Sequence, residues 1–247
     1  MKIIISPAKK MNVDTDTFGH NSLPVFLSRT KELMSYMKSL SFEEAKKLWG
    51  CNDKIAEQNF QRYAEMDLER RLTPAIISYE GIQYQYMSPM VLSEDGLDYL
   101  QKHLRILSGF YGILKPFDGV TPYRLEMQAK ASDGKFKDLY EYWGASLYQE
   151  LTSDGDYTIL NLASKEYSKC IEKHLGEKDL FVTCVFGELS NGKVVQKGTF
   201  AKMARGEMVR FLAENQMDTL DGVKEFSGLW YSFSEELSNE KEYVFIK

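Results

Sequence analysis

The segment Leu107–Met127, LSGFYGILKPFDGVTPYRLEM, limits what this 247-residue chain can fold into more than any other stretch. Gly109 and Gly112 permit bends that other residues make only at a cost. Pro116 and Pro122 fix two further bends. Phe110, Tyr111, Phe117 and Tyr123 carry large areas that call for burial without regular backbone pairing. The segment reads as neither a clean helix nor a clean strand. It predicts a rigid, packed wall, and that wall presents Arg124. A guanidinium can fork onto a phosphate or carboxylate with several donors at once. The competing structural role is an ion pair of Arg124 with Glu126 or Asp118.

Around this wall, strand and helix patterns alternate irregularly. Lys2–Ser6 (KIIIS) is a β-branched strand closed by Pro7. Pro24–Leu40 has helical spacing, with Leu27, Leu33, Met34 and Met37 on one stripe. Ser41 and Glu44 form a capping box that opens a second helix. Gly50 ends it, and Asn52 caps a third, giving an αα-hairpin over 41–66. PAIISYEG reads as strand and turn, and Ser93 caps a further helix. Leu104–Ser108 is a strand, Lys137–Leu151 an amphipathic helix, and Asp156–Ser164 a buried strand followed by the helix KEYSKCIEKHL. Two strands flank the turn Ser190-Asn191-Gly192 as a hairpin. A helix over Thr199–Asn215 and the strands LWYSFS and EYVFIK complete the chain. The pattern predicts a mixed α/β or α+β fold with the αα-hairpin as an insertion. No repeat or linker divides it, so one domain over 1–247 is expected.

No apolar run approaches the roughly 20 residues that span a bilayer. The N-terminus lacks the apolar region of a signal peptide, so a cytosolic location is expected. Cys51, Cys170 and Cys184 are scattered, as are His20, His103 and His174. Neither set has metal-ligand or disulfide spacing, so neither a tightly bound metal nor another cofactor is expected. The net charge is −5, from 31 basic and 36 acidic residues. Any anion site must therefore be a local concentration of cations, whose field is set by the cleft around it.

Four places could supply one. On the Thr199–Asn215 helix, Phe200, Ala204, Met208 and Phe211 share one face, while Lys202, Arg205, Gly206 and Arg210 share the other. This is either a solvated basic stripe or an anion contact. Gly206, costly inside a helix, lets another backbone or a ligand come close. Lys9 and Lys10 follow the first strand, where ligand crevices of α/β sheets lie; alternatively they are exposed loop lysines. Asn161, Ser164 and Tyr167 leave a buried strand in the same way, or serve as local caps. Arg124 is the fourth. The nucleophile elbow, P-loop, dinucleotide fingerprint and zinc-deaminase motifs are all absent.

Several segments together resemble one family. ISPAKKM, LRILSGFYGILKPFDGVTPYRLEM, DLYEYWG, NLASKEYSK and AKMARGEMVRF occur in this order in the peroxide stress resistance protein YaaA family, and the similarity spans essentially the whole chain. The resemblance implies a bacterial cytosolic protein of the hydrogen peroxide response that keeps intracellular free iron low. It also implies a family-specific mixed α/β fold with a basic cleft and a helix-hairpin-helix element that binds DNA. The matching segment here, 41–66, departs from the Gly-x-Gly hairpin pattern. It has Gly50 alone, with Glu43, Glu44, Asp53 and Glu57 nearby.

Two functions of different class follow. One is sequence-independent binding of duplex or distorted DNA, with phosphates on Lys9, Lys10, Arg124, Lys202, Arg205 and Arg210, and Gly50 admitting the backbone at the hairpin. The other is an enzyme for a small anionic or nucleotide substrate in the same cleft. Tyr123, Tyr167 or Lys202 would then be the acid–base group.

Overall fold

The computed structural model describes residues 1–247. Its strands are β1 (Lys2–Ile5), β2 (Lys10–Met11), β3 (Thr73–Pro74), β4 (Tyr79–Glu80), β5 (Leu104–Ser108), β6 (Gly112–Leu114), β7 (Gly119–Val120), β8 (Thr158–Leu162), β9 (Leu180–Ser190), β10 (Lys193–Val195), β11 (Ser232–Phe233) and β12 (Glu242–Ile246). Its helices are α1 (Leu27–Ser39), α2 (Phe42–Trp49), α3 (Asp53–Glu65), α4 (Ala75–Ser78), α5 (Ile82–Met87), α6 (Glu94–His103), α7 (Leu139–Trp143), α8 (Ser146–Leu151), α9 (Lys165–Glu172), α10 (Gly198–Glu214) and α11 (Leu220–Val223).

One mixed sheet runs in the order β11-β12-β9-β8-β1-β5-β6, with β10 paired to β9. The middle strands β12, β9, β8, β1 and β5 are parallel. Their sequences explain it: Ile3, Ile4 and Ile5 are fully buried, as are Ile159, Leu160 and Leu162. Continuous apolar runs of this kind suit parallel strands covered on both faces. The fold class is therefore mixed α/β, as the alternation predicts. From β1 the chain moves to one side to form β5, then returns to the other side of β1 as β8. Such a reversal leaves a crevice at the carboxyl ends of the two strands.

The glycine- and proline-rich wall is packed as its composition demands. Phe110, Tyr111, Leu125 and Met127 are buried. The segment doubles back so tightly that a Cβ on Gly109 would stand 2.4 Å from the Leu125 carbonyl oxygen. The Trp143 indole donates to the Gly109 carbonyl at 3.0 Å.

The hairpin turn has Asn191 at φ 50° and Gly192 at φ 73°, the left-handed pair that a two-residue β-turn requires. The capping box at Ser41 is formed, and Gly50 closes α2 at φ 55°. The α2–α3 pair does not stand out as an inserted module. Ala45, Trp49, Ala56 and Tyr63 join the main core, and Trp49 stacks on Tyr63.

Four local expectations are corrected. Ala75–Ser78 is a helical turn, not a strand, because the Ala75 and Ile76 amides donate to the Asp118 and Pro116 carbonyls. The 137–151 helix is broken at Gly144, whose φ 52°, ψ −135° is accessible to glycine alone. Gly228–Trp230 is a 3-10 turn, so the strand there shrinks to Ser232–Phe233. Helix α5 was not expected, since six residues hold too few turns to display a helical period. It packs along α10.

Candidate functional site

The crevice at the ends of β1 and β8 is a cleft of roughly 420 Å³, within the ~300–1,000 Å³ range of small-ligand sites. The β1 exit supplies Ser6 to Lys10, and the β8 exit supplies Ser164, Glu166 and Tyr167. The two exits are tied together: Ser164 N donates to Ser6 Oγ at 2.8 Å, and Ser6 Oγ donates to Ser164 Oγ at 3.2 Å. The Tyr84 hydroxyl donates to the Ser6 carbonyl at 2.9 Å, pinning the loop from α5. The wall contributes Tyr123 to Glu126, and α10 contributes Lys202 and Arg205.

Of the residues singled out from sequence, Lys9, Lys10, Tyr123, Arg124, Ser164, Tyr167, Lys202 and Arg205 line this one cleft. Three do not. Asn161 is buried below it, where its amide donates to Thr183 Oγ1 at 3.1 Å and its carbonyl accepts from Ala163 N at 2.9 Å. It shapes the end of β8. Arg210 lies outside the cleft and pairs with Glu214 at 2.8 Å, one helical turn on. Gly50 sits at the α2–α3 turn with open space around its α-carbon. Gly206 meets a backbone rather than a ligand: a Cβ there would stand 2.1 Å from the Gln83 carbonyl oxygen.

The faces of α10 also differ from expectation. Ala204 and Met208 are buried, but so are Gly206, Val209 and Leu212, while Phe200 is exposed. The helix is covered on two sides, by the sheet and by α5, so a single apolar stripe does not describe it.

The cleft also holds the carboxylates Glu80 and Glu166, which no sequence motif marks, and Glu126, expected only as a partner for Arg124. Glu166 lies inside the NLASKEY segment already singled out, so its position carried the signal. Glu126 Oε1 lies 3.1 Å from both Lys9 Nζ and Arg124 Nη2. These contacts are within ion-pair range but out of line for hydrogen bonds, and Glu126 Oε1 and Arg124 Nε are both left unsatisfied. Asp118, the other candidate partner for Arg124, instead accepts from Ser22 Oγ at 2.6 Å and from Lys115 N at 2.8 Å. Lys10 pairs with Glu80 at 2.7 Å because the β2–β4 ribbon sets the two residues opposite one another.

Lys202 and Arg205 take part in none of these ion pairs. Arg205 Nε is buried without a hydrogen-bond partner, and burial lowers the guanidinium's pKa from its ordinary value. Burial also holds the phenols in their neutral form: Tyr123 is pushed up to about 12, and Tyr167 rises well above its ordinary value. Neither is a base at neutral pH. Glu166 shifts in the same direction: burial, opposed by the Gln128 amide, raises its carboxyl above its ordinary value.

The chain as a whole also matches known proteins. The family model for peroxide stress protein YaaA matches residues 1–237. A UPF0246 protein of Lachnoclostridium phytofermentans is 58% identical over 247 residues, covering 100% of this chain and 96% of its own. Another, from Agathobacter rectalis, is 58% identical over 245 residues, covering 99% of this chain and 98% of its own. A third, from Desulfitobacterium hafniense, is 56% identical over 247 residues, covering 100% and 98%. On a match of this extent, the chain belongs to the peroxide stress protein YaaA family.

Proposed function

We propose that the cleft is a phosphate site through which the protein binds DNA, largely independently of sequence, within a peroxide response that keeps free iron low. The observation that carries this reading is Arg205: a largely buried cation with an unsatisfied Nε and no carboxylate within ion-pair distance. A buried charge without a counter-charge is costly, and an incoming phosphate removes that cost. Lys202, one turn earlier on α10 and equally unpaired, supplies a second contact. Lys9, Lys10 and Arg124 extend the cationic lining once phosphate competes with their carboxylates.

The peroxide part of the reading is supported by family membership; the iron part follows from the resemblance of the sequence segments alone. Direct thiol chemistry fits poorly at two of the cysteines. Cys170 and Cys184 are buried, and burial pushes the Cys170 thiol up to about 12 and the Cys184 thiol further. A reactive cysteine needs the opposite, a stabilised thiolate.

The test is a titration of labelled duplex DNA over rising salt. Lys202 and Arg205 acting alone give a log–log slope of ~−1.8, and all five cleft cations ~−4.5. A slope near zero would contradict the reading.

A second reading is favoured by the size of the cleft and by Glu80, Glu126 and Glu166 on its walls: an enzyme for a small anionic or nucleotide substrate. In that case Glu166, with its raised carboxyl pKa, is a better proton-transfer group than Tyr123 or Tyr167. A flat salt dependence for DNA, together with saturable binding of a small anion, supports this alternative.

A further inference from the structure

The cleft has two poles. Its ion pairs are Lys9–Glu126, Arg124–Glu126 and Lys10–Glu80. Lys202 and Arg205 are left out of them and form a cationic pole on α10. The acidic pole is built by Glu126 and Glu166, the first from the wall and the second from the opening turn of α9. No ion pair joins Lys202 or Arg205 to Glu126 or Glu166; the partners of Glu126 are Lys9 and Arg124. Glu126 Oε1 is buried and lacks a hydrogen-bond donor in line with it. The same cleft is also lined by the apolar surfaces of Pro7, Ala8 and Ile82.

A site for phosphates alone gains nothing from two carboxylates, which repel them. Carboxylates do have a use beside a nucleobase, where Glu and Asp accept from an exocyclic amino group such as cytosine N4. A cleft of roughly 420 Å³ also suits one small ligand rather than a stacked duplex.

We propose that the cleft holds a single unstacked nucleotide, its phosphate on Lys202 and Arg205 and the amino edge of its base on Glu126 and Glu166. The inference rests on reading the cleft as a phosphate site for DNA, and it names what enters it. Bases that are unpaired or mismatched leave the stack most easily, so such positions are the ones the cleft takes up.

The test is calorimetric titration of the full chain with inorganic phosphate, cytidine 5′-monophosphate and uridine 5′-monophosphate. The two nucleotides differ at the position where cytosine carries an amino group and uracil a carbonyl oxygen. The expected result is at least ~10-fold tighter binding of the cytidine nucleotide than of either other ligand, in line with one base contact. The double variant Glu126→Gln/Glu166→Gln should bring the cytidine-to-uridine ratio close to one while phosphate binds as well as before or better. Equal binding of all three ligands by the unaltered protein overturns the proposal, whether or not the double variant folds. So does a ratio that survives in a folded double variant. Preference for the cytidine nucleotide without salt-dependent DNA binding removes the DNA reading and leaves the nucleotide site standing. DNA binding without any mononucleotide binding does the reverse.

Discussion

Gly206 of α10 lies against the backbone of Gln83 in α5, so close that a Cβ would sit 2.1 Å from the Gln83 carbonyl oxygen. That contact sets the distance between the helix carrying Arg205 and the segment forming the cleft floor. Gly206→Ala should therefore destabilise the protein by ~1–3 kcal/mol, the usual penalty for overfilling a packed contact. An open helical site would respond oppositely, gaining up to ~1 kcal/mol from alanine. Urea unfolding of the variant gives the sign directly, and a gain in midpoint would mean that the two helices separate freely.

Tyr123 links the wall to the sheet. Its hydroxyl lies 2.6 Å from Ser108 Oγ and 2.9 Å from the Tyr79 hydroxyl, all of it buried. Tyr123→Phe leaves two buried hydroxyls short of a partner and should cost ~1–3 kcal/mol. The pH arm has a defined sign. Tyr123 is raised from about 10 in the unfolded chain to about 12 by burial, so the folded state favours the neutral phenol. That contribution is complete below pH 10 and is lost as the pH rises through about 12. Alkaline unfolding should accordingly be less steep in Tyr123→Phe.

His103 should make the fold sensitive to mild acid. Its Nδ1 lies 2.7 Å from the Met1 carbonyl oxygen, its ring stacks on Tyr99 at 4.4 Å, and burial lowers its pKa below the ordinary 6.5. A folded-state pKa below the unfolded one gives stability that is present above pH 6.5 and falls away as acid charges the ring. The slope is limited to ~1.4 kcal/mol per pH unit for one proton. Thermal melts from pH 7 to pH 5 should show this decline in the parent protein and a flatter profile in His103→Gln. Identical profiles would place the acid sensitivity elsewhere.

Gly50 separates backbone strain from DNA binding. Its φ of 55° closes α2, and no atom crowds its α-carbon. Gly50→Ala should therefore cost ~1–2 kcal/mol through left-handed strain alone. The salt slope for DNA should stay unchanged, because the charged cleft is elsewhere. A folded Gly50→Ala that no longer binds DNA would move the interface to the α2–α3 turn.

Much of this architecture was legible because local chemistry decided it. The Ser41 capping box, the Asn191-Gly192 turn and the triple isoleucine of β1 each dictate one conformation. The elements misread are those whose conformation is set from a distance. Ala75–Ser78 is helical because the Pro116–Asp118 carbonyls receive its first amides, and nothing within PAIISYEG announces that. The cations of the cleft could be gathered from strand exits and one helix face. Arg210 could not be separated from Lys202 and Arg205 by helical phase alone, since that requires knowing that α10 is covered on two sides. The acidic wall was missed for a related reason: the pairing of Lys10 with Glu80 depends on a ribbon of two residues per strand, too short to leave a pattern.

The most direct test of the cleft as the DNA site is the salt dependence of DNA affinity in Lys9→Glu/Lys202→Glu. Both side chains end at the surface of the cleft, and Lys9 is 66% exposed, so the fold should survive the change, as circular dichroism can verify. Duplex binding should be weakened at least ~100-fold at low salt, and the slope of any remaining binding should be shallower by ~0.9–1.8. A folded double variant that binds DNA with the parent affinity and slope would contradict it.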